Sequence, residues 1–382
     1  MLHSLNDIYS SIRKNDLIVV LYSGGLDGTY LLSKLKEEGY TNLLALHIDI
    51  EDTYSFSKIH KRLKDLKIKY QILPLTNEFV ENYILNSIYS QAKYLGGHPL
   101  SASLSRPLIA QKAIEYLNSK QTKVGALLHT SNSSQNSLRR FNTAIKNLNY
   151  EHPFGSPFEK SHLSREEKLK YLQRKNIALD LHTHSEDSNI WCREFEYGNF
   201  DNIENIEIPE HYFLWTKKNN NQPNELITLQ FKQGRPISIN NEQLSLKEII
   251  IKTRSIVGKY GIGRFIGLEE IQTGEKVLEI RETPSASILL TAYKNLELAT
   301  ISSETARVKN NIEQVWVREA SEGRWFSELR NACDSFCKQI SLQVTGSVTF
   351  KLFENNFQLT SLKADRPNYI TNRDFFEKYE ID

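Results

Sequence analysis

Four strand-length runs in the first 130 residues, separated by helix-length segments, leave this chain few ways to fold. Leu17–Tyr22 is apolar throughout. Asn42–Asp49, Tyr70–Pro74 and Val124–His129 are the other three runs. Thr29–Glu38 (closed by Gly39), Ser57–Leu66, Asn77–Gln91 and Ser105–Asn118 carry helical periodicity. Strands buried on both faces and separated by helices predict an α/β fold, a parallel sheet flanked by helices. Ligands of such sheets sit beyond the carboxyl ends of the strands, so the loops after Tyr22, Ile48 and His129 are where chemistry is expected.

The second half reads as α+β. Strands are predicted at Asn205–Pro209 and Glu225–Phe231, a helix at Ser245–Lys259, and two strands around Gly346 within Leu342–Phe353. Pro153, Gly155 and Pro157 cluster at the expected boundary, giving domains 1–160 and 161–355 with a short tail, 356–382. The balance of 48 Lys+Arg against 46 Asp+Glu supplies no bulk attraction to nucleic acid or anionic lipid. No apolar run approaches the roughly 20 residues a membrane span needs, and the first residues lack a secretory pattern. Three cysteines in a chain this long exclude a disulfide scaffold and fit a reducing cytoplasm. Cys333 and Cys337 lie four apart in a predicted helix, where two buried thiols are a better reading than a metal site.

The sharpest motif is Ser23-Gly24-Gly25-Leu26-Asp27-Gly28-Thr29, immediately after the first strand. Two glycines allow a tight turn, and the amides of a helix beginning near Asp27 form an anion site. Ser23 and Thr29 add hydroxyls, and Asp27 either caps the helix or holds a magnesium ion that accompanies phosphates. No Gly-Lys-Ser/Thr follows, so this is not a Walker loop.

This string resembles the signature of the ATP pyrophosphatase superfamily, and four further segments narrow the resemblance. Ser103-Leu-Ser-Arg106-Pro107-Leu-Ile-Ala-Gln-Lys, Ser185-Glu-Asp187-Ser-Asn189-Ile-Trp191, Gly258-Lys-Tyr-Gly261-Ile-Gly263-Arg264 and Glu282-Thr283-Pro284 are similar to segments of argininosuccinate synthases, in the same order. The resemblance implies a Rossmann-like domain of the ATP pyrophosphatase type followed by a synthetase domain. It implies Mg-ATP as cofactor, with the nucleotide at Leu21, Tyr22, Ser23, Gly24, Gly25, Leu26, Asp27, Gly28, Thr29, Ile48 and Thr130. Asp27, Arg106 and Arg140 become the candidate catalytic residues, the arginines lying near developing negative charge. In that family ATP adenylylates the ureido oxygen of citrulline, and the amine of aspartate then displaces AMP.

The carry-over is uneven. Ser103, Ser185, Asn136, Arg140 and Glu269 match substrate-binding positions. His98 and Arg281 stand where the family has tyrosines, and Glu194 where it has a serine. On the aspartate side, Asn132 replaces a threonine and Ser137 an acid, and the loop glycines are gone. Changed contacts in a buried polar pocket discriminate strongly between ligands. Arg281 suits a carboxylate or phosphate, unless it pairs with Glu194; His98 either contacts substrate or fills the tyrosine's space. The reading is therefore an ATP-dependent ligase that couples a citrulline-like acceptor to an amine, an altered nucleophile being favoured over aspartate, and that acts as a cytoplasmic homodimer or homotetramer. A catalytically silent nucleotide-binding protein is the alternative. A tRNA-thiolating relative would want reactive cysteines that this sequence lacks.

Overall fold

The computed structural model describes residues 1–51, 56–120, 123–177, 185–196, 202–219 and 222–379. Residues 220 and 221, within the polar stretch Thr216–Pro223 that the sequence marks as a surface loop, and 380–382 of the tail lie outside this set. The first unit is the predicted α/β layer structure. Strands β1 (Leu17–Leu21), β2 (Leu43–Asp49), β3 (Lys69–Pro74), β4 (Val124–Leu128) and β5 (Phe154–Gly155) form one sheet in the order β3-β2-β1-β4-β5. Every pairing in it is parallel. Alternation along β1 explains why the sheet needs helices on both sides. Val19 faces a core with Leu46 and Leu127, whereas Ile18 and Val20 face another with Leu31, Leu32, Leu35 and Leu63.

The Asn77–Gln91 prediction corresponds to one helical run, Thr76–Phe79, a π-helical stretch Val80–Ile84, and Leu85–Tyr89. The helix expected from Ser105 begins three residues earlier and spans Ala102–Asn118. The helix Arg165–Arg174, beyond the expected domain boundary, packs back on the phosphate-loop helix Leu26–Glu37. Leu172 joins the β1-side core, and the Tyr171 and Tyr30 rings lie 5.0 Å apart.

Beyond it the sheets are antiparallel. One runs β11-β12-β7-β6, from β6 (Ser185–Ser188), β7 (Arg193–Glu196), β11 (Arg264–Glu270) and β12 (Lys276–Glu282). The other runs β10-β9-β8-β13-β14, from β8 (Glu225–Lys232), β9 (Arg235–Ile239), β10 (Glu242–Gln243), β13 (Gly346–Phe353) and β14 (Asn356–Ala364). The helices Leu246–Gly258 and Pro284–Thr300 cover it, and their Ile249, Ile250, Leu289 and Tyr293 share a core with Ile227 and Leu229 of β8. Both Cys333 and Cys337 are buried in the helix Glu328–Ser341.

Two strand expectations are corrected. Asn205–Pro209 forms no strand. Leu342–Phe353 holds one strand, not two, because Gly346 is a point of close approach and not a turn: a Cβ there would lie 2.1 Å from the Lys363 carbonyl oxygen. The partner strand is β14, inside the segment read as tail. No helix among the described residues is long and apolar enough to cross a membrane.

Candidate active site

The β1 strand ends at Leu21, and the chain passes through Tyr22 and reverses over Ser23, Gly24 and Gly25 into the helix Leu26–Glu37. Gly24 has φ +87°, and a Cβ on it would approach Ile59 Cγ1 to 2.9 Å, so both conformation and space require glycine. Gly28 is constrained by space alone, since its Cβ would lie 2.8 Å from the Tyr22 ring. The result is a row of amides at a helix N-terminus, facing a cavity of about 570 Å³.

Leu21 through Gly28, Ile48 and Thr130, all expected at the nucleotide, line that cavity. Thr29 does not. It is fully buried, its hydroxyl donates to the Gly25 carbonyl at 2.7 Å, and it accepts from the Tyr22 hydroxyl at 3.0 Å. Its single proton is spent inside the loop, so Thr29 braces the turn and is no phosphate donor. Asp27 is also partnered. Its Oδ1 lies 2.7 Å from Nζ of Lys168, on the helix Arg165–Arg174. Among the described residues no three His, Cys, Asp or Glu side chains converge as metal ligands. With one oxygen committed, Asp27 fits poorly as the anchor of a protein-held magnesium ion, which takes one or two free carboxylates besides phosphate oxygens.

Arg106, Asn136, Ser137 and Arg140 line the cavity from the helices Ala102–Asn118 and Asn136–Asn147. Arg106 is held rigidly. Its Nε donates to Ser137 Oγ at 3.1 Å, a terminal nitrogen reaches Asp187, and its guanidinium lies over the Phe141 ring. Ser137 thus orients an arginine. Asn132, expected at the substrate, instead closes its own turn: Oδ1 accepts from the Ser134 amide at 3.1 Å and hydroxyl at 2.7 Å. That Asx turn supplies locally what the missing glycines would otherwise allow.

The wall opposite the loop comes from β7 and β12. Register sets Arg281 against Glu194, and Glu194, Glu196, Glu279 and Arg281 all face the cavity. Arg281, 2% exposed, is surrounded by carboxylates: its terminal nitrogens lie 2.6 Å from Glu269, 3.2 Å from Glu279 and 3.5 Å from Glu194. It is therefore not an open receptor for a substrate carboxylate or phosphate. Burial opposes its charge, but Glu194, Glu279 and Glu269 outweigh burial and hold its pKa well above the usual value.

Glu269 is corrected in the same way. It is 2% exposed; Oε1 accepts from Asn136 Nδ2 at 3.0 Å and from Arg140, and Oε2 accepts from Arg281. Burial raises its pKa, yet the two arginines overcome burial and leave it well below the ordinary carboxylate value. Both oxygens are taken, so no substrate amine has a free carboxylate there.

His98 fills space. Its ring packs on Tyr94 and Phe265, with Nε2 3.3 Å from Glu269, and burial, with Arg281 nearby, pushes its pKa down to about 4. Ser103 is buried outside the cavity wall. Ser185 opens β6 opposite Glu196; its side chain lies outside what the structure describes.

Sequence reasoning missed four residues. Glu196 and Glu279 sit two positions from Glu194 and Arg281 on the same strands, so period-two alternation alone would have named them. Burial raises the Glu196 carboxyl to about 7, with Gln135 donating to it at 3.2 Å; Glu279 is raised by burial too. Arg62 donates to the Gly24 carbonyl, and Lys168 holds Asp27. Nothing in their local sequence marks either.

The family model for the arginosuccinate synthase N-terminal HUP domain matches residues 17–178, and that for the C-terminal domain matches 184–381. The chain belongs to the argininosuccinate synthase family. It is 32% identical to the argininosuccinate synthase of Pyrococcus furiosus, over 95% of this chain and 88% of that protein. It is 34% identical to that of Lactiplantibacillus plantarum (94% and 88%) and 31% to that of Bacillus subtilis (92% and 88%). The family is one of ATP-dependent ligases. The helix Arg165–Arg174 falls within the N-terminal match.

Proposed function

We propose that this member of the family is an AMP- and pyrophosphate-forming ligase whose acceptor and amine are not the citrulline and aspartate of the family reaction. One observation carries the reading: on the cavity that the phosphate loop faces, Arg281 is committed to the buried Glu269 behind it and is not free for a substrate anion. ATP would lie with its phosphates on the Ser23–Gly28 amides. An acceptor ureido or amide oxygen attacks the α-phosphorus, pyrophosphate leaves, and an amine then displaces AMP. Magnesium would arrive with ATP as its counter-ion. This chain contributes positioning and charge neutralisation, through the loop amides and the immobilised Arg106.

Three features support altered substrates. Glu269 has no free oxygen for a citrulline amine, Ser137 gives no charge to an aspartate site, and the β7–β12 wall presents Glu194, Glu196 and Glu279 against one arginine. With burial pushing the Glu196 and Glu279 carboxyls up, that wall mixes protonated and ionised carboxyls, and it favours an acceptor or amine rich in hydrogen-bond donors or carrying positive charge over a dianion. The internal pairing of Arg281 with Glu269 also favours a second reading, a nucleotide-binding protein without turnover.

Pyrophosphate release from Mg-ATP, with citrulline and with or without aspartate, tests the proposal, with products read by mass spectrometry. ATP should bind, and argininosuccinate should not form above trace. Argininosuccinate at the rate of an ordinary synthase would overturn it. ATP binding without pyrophosphate release across a panel of cationic amide acceptors and amines would select the silent reading.

A further inference from the structure

A phosphate loop is built to receive negative charge, yet this one carries a carboxylate, Asp27, in the first turn of its helix and on the cavity wall. An uncompensated carboxylate there repels the ligand that the loop amides attract. The structure supplies the compensation from a helix that begins 138 positions further along the chain. Lys168 is 5% exposed, with Nζ 2.7 Å from Asp27 Oδ1 and 4.2 Å from the centroid of the Phe158 ring. Its placement is over-determined. Ser164 and Glu167 close a capping box that fixes where the helix starts, and Leu172 and Tyr171 dock it on the phosphate-loop helix. On the other side of the loop, Arg62 donates to the Gly24 carbonyl. A carboxylate oxygen and a carbonyl oxygen of the loop thus each face a cation.

We propose that Lys168 is a positioning residue of the polyphosphate site, acting through Asp27: it converts a repelling carboxylate into a neutral pair, so the loop accepts pyrophosphate without a metal ion bound at Asp27. This rests on the ATP reading given above. A purely structural role for Lys168 would anchor the helix and leave the loop's charge requirement unchanged.

The test is calorimetric binding of inorganic pyrophosphate and of ATP to the full chain, in EDTA and in magnesium, for wild type, Lys168→Met, Lys168→Arg, Asp27→Asn and the double variant Asp27→Asn/Lys168→Met. In EDTA, Lys168→Met should weaken pyrophosphate binding about tenfold or more, because it leaves an unpaired carboxylate at the site. Lys168→Arg should stay within about threefold of wild type, as charge is kept. The double variant should return to within about threefold, since removing the carboxylate removes the need for the ammonium. Magnesium should rescue Lys168→Met more than wild type. Undiminished binding by Lys168→Met overturns the proposal. So does a double variant as weak as Lys168→Met, which would make Lys168 a direct ligand or a structural prop. Wild-type protein that binds neither ATP nor pyrophosphate would remove the ATP reading itself, before any variant is compared.

Discussion

Glu269 is the counter-charge for two buried guanidinium groups, Arg140 and Arg281, and an acceptor for the Asn136 amide. Glu269→Ala leaves both arginines inside the protein with less compensation than their burial requires. Breaking a buried pair by removing one partner costs about 3–5 kcal/mol, and urea unfolding should show a loss in that range. Glu270→Ala, one residue along and exposed, should stay within about 0.5 kcal/mol. A loss at Glu269 no larger than that at Glu270 would mean the cluster is solvated and the pocket less closed than described. Glu196 predicts a pH effect of definite sign. Its folded carboxyl titrates at about 7, above the ordinary glutamate value, so between about 4.5 and 7 the folded state binds the extra proton. The stability it contributes is present at low pH and is lost as pH rises through that window. Wild type relative to Glu196→Gln should therefore lose on the order of 2 kcal/mol between pH 5 and pH 8, read from paired urea titrations. A difference that is flat or grows with pH would contradict it.

Elements explain what the sequence could and could not reveal. The parallel sheet was legible because β1 and β4 are buried on both faces and so read as unbroken apolar runs. The loop was legible because two of its glycines, Gly24 and Gly28, answer to steric demands that a side chain would not meet. Gly24→Ala should accordingly lose ATP affinity by about tenfold or more, with melting lowered by only a few degrees, because φ +87° and the contact with Ile59 are both local to the turn. Unchanged affinity by calorimetry would show that the turn tolerates a Cβ and that its geometry is not what binds phosphate. Glu196 and Glu279 were equally available, since strands β7 and β12 repeat every two residues, but a motif read by resemblance stops at the positions the motif names. Lys168 and Arg62 were not available by any local rule. Each reaches the loop through a packing of helices that only the folded chain specifies. Gly346 misled for a related reason: glycine marks a turn or a close approach with the same letter, and the decisive neighbour, Lys363, is seventeen residues away.

At the scale of the molecule, the segment read as a tail carries part of the second sheet. From Gly346↔Ala364 to Phe353↔Asn356, β14 pairs with β13, whose other edge pairs with β8. The Phe357 ring lies 5.0 Å from that of Phe350, and the chain beyond β14 returns to the helix Pro284–Thr300, where the Asn368 amide donates to the Ala299 carbonyl at 2.7 Å. Ending the chain at residue 355 would strip one side of the β13 ladder and present a long strand edge to solvent, a known route to aggregation. It would also uncover apolar surface of the core that β8 and β13 share with Leu289 and Tyr293. Ending it at residue 372 removes the exposed helix Arg373–Tyr379 and leaves the ladder whole. The longer deletion should yield insoluble protein or lower the melting temperature by about 10 °C, and the shorter one should change it by no more than about 2 °C. The same pair of proteins asks whether the two halves of the fold are coupled. The core that includes β8 and β13 is continuous with the one beneath β1 and β4, so loss of β14 should also lower the temperature at which bound ATP is released. A 355-residue protein that melts and binds nucleotide as the full chain does would show that β14 is an appendage, and that the sheet closes at β13.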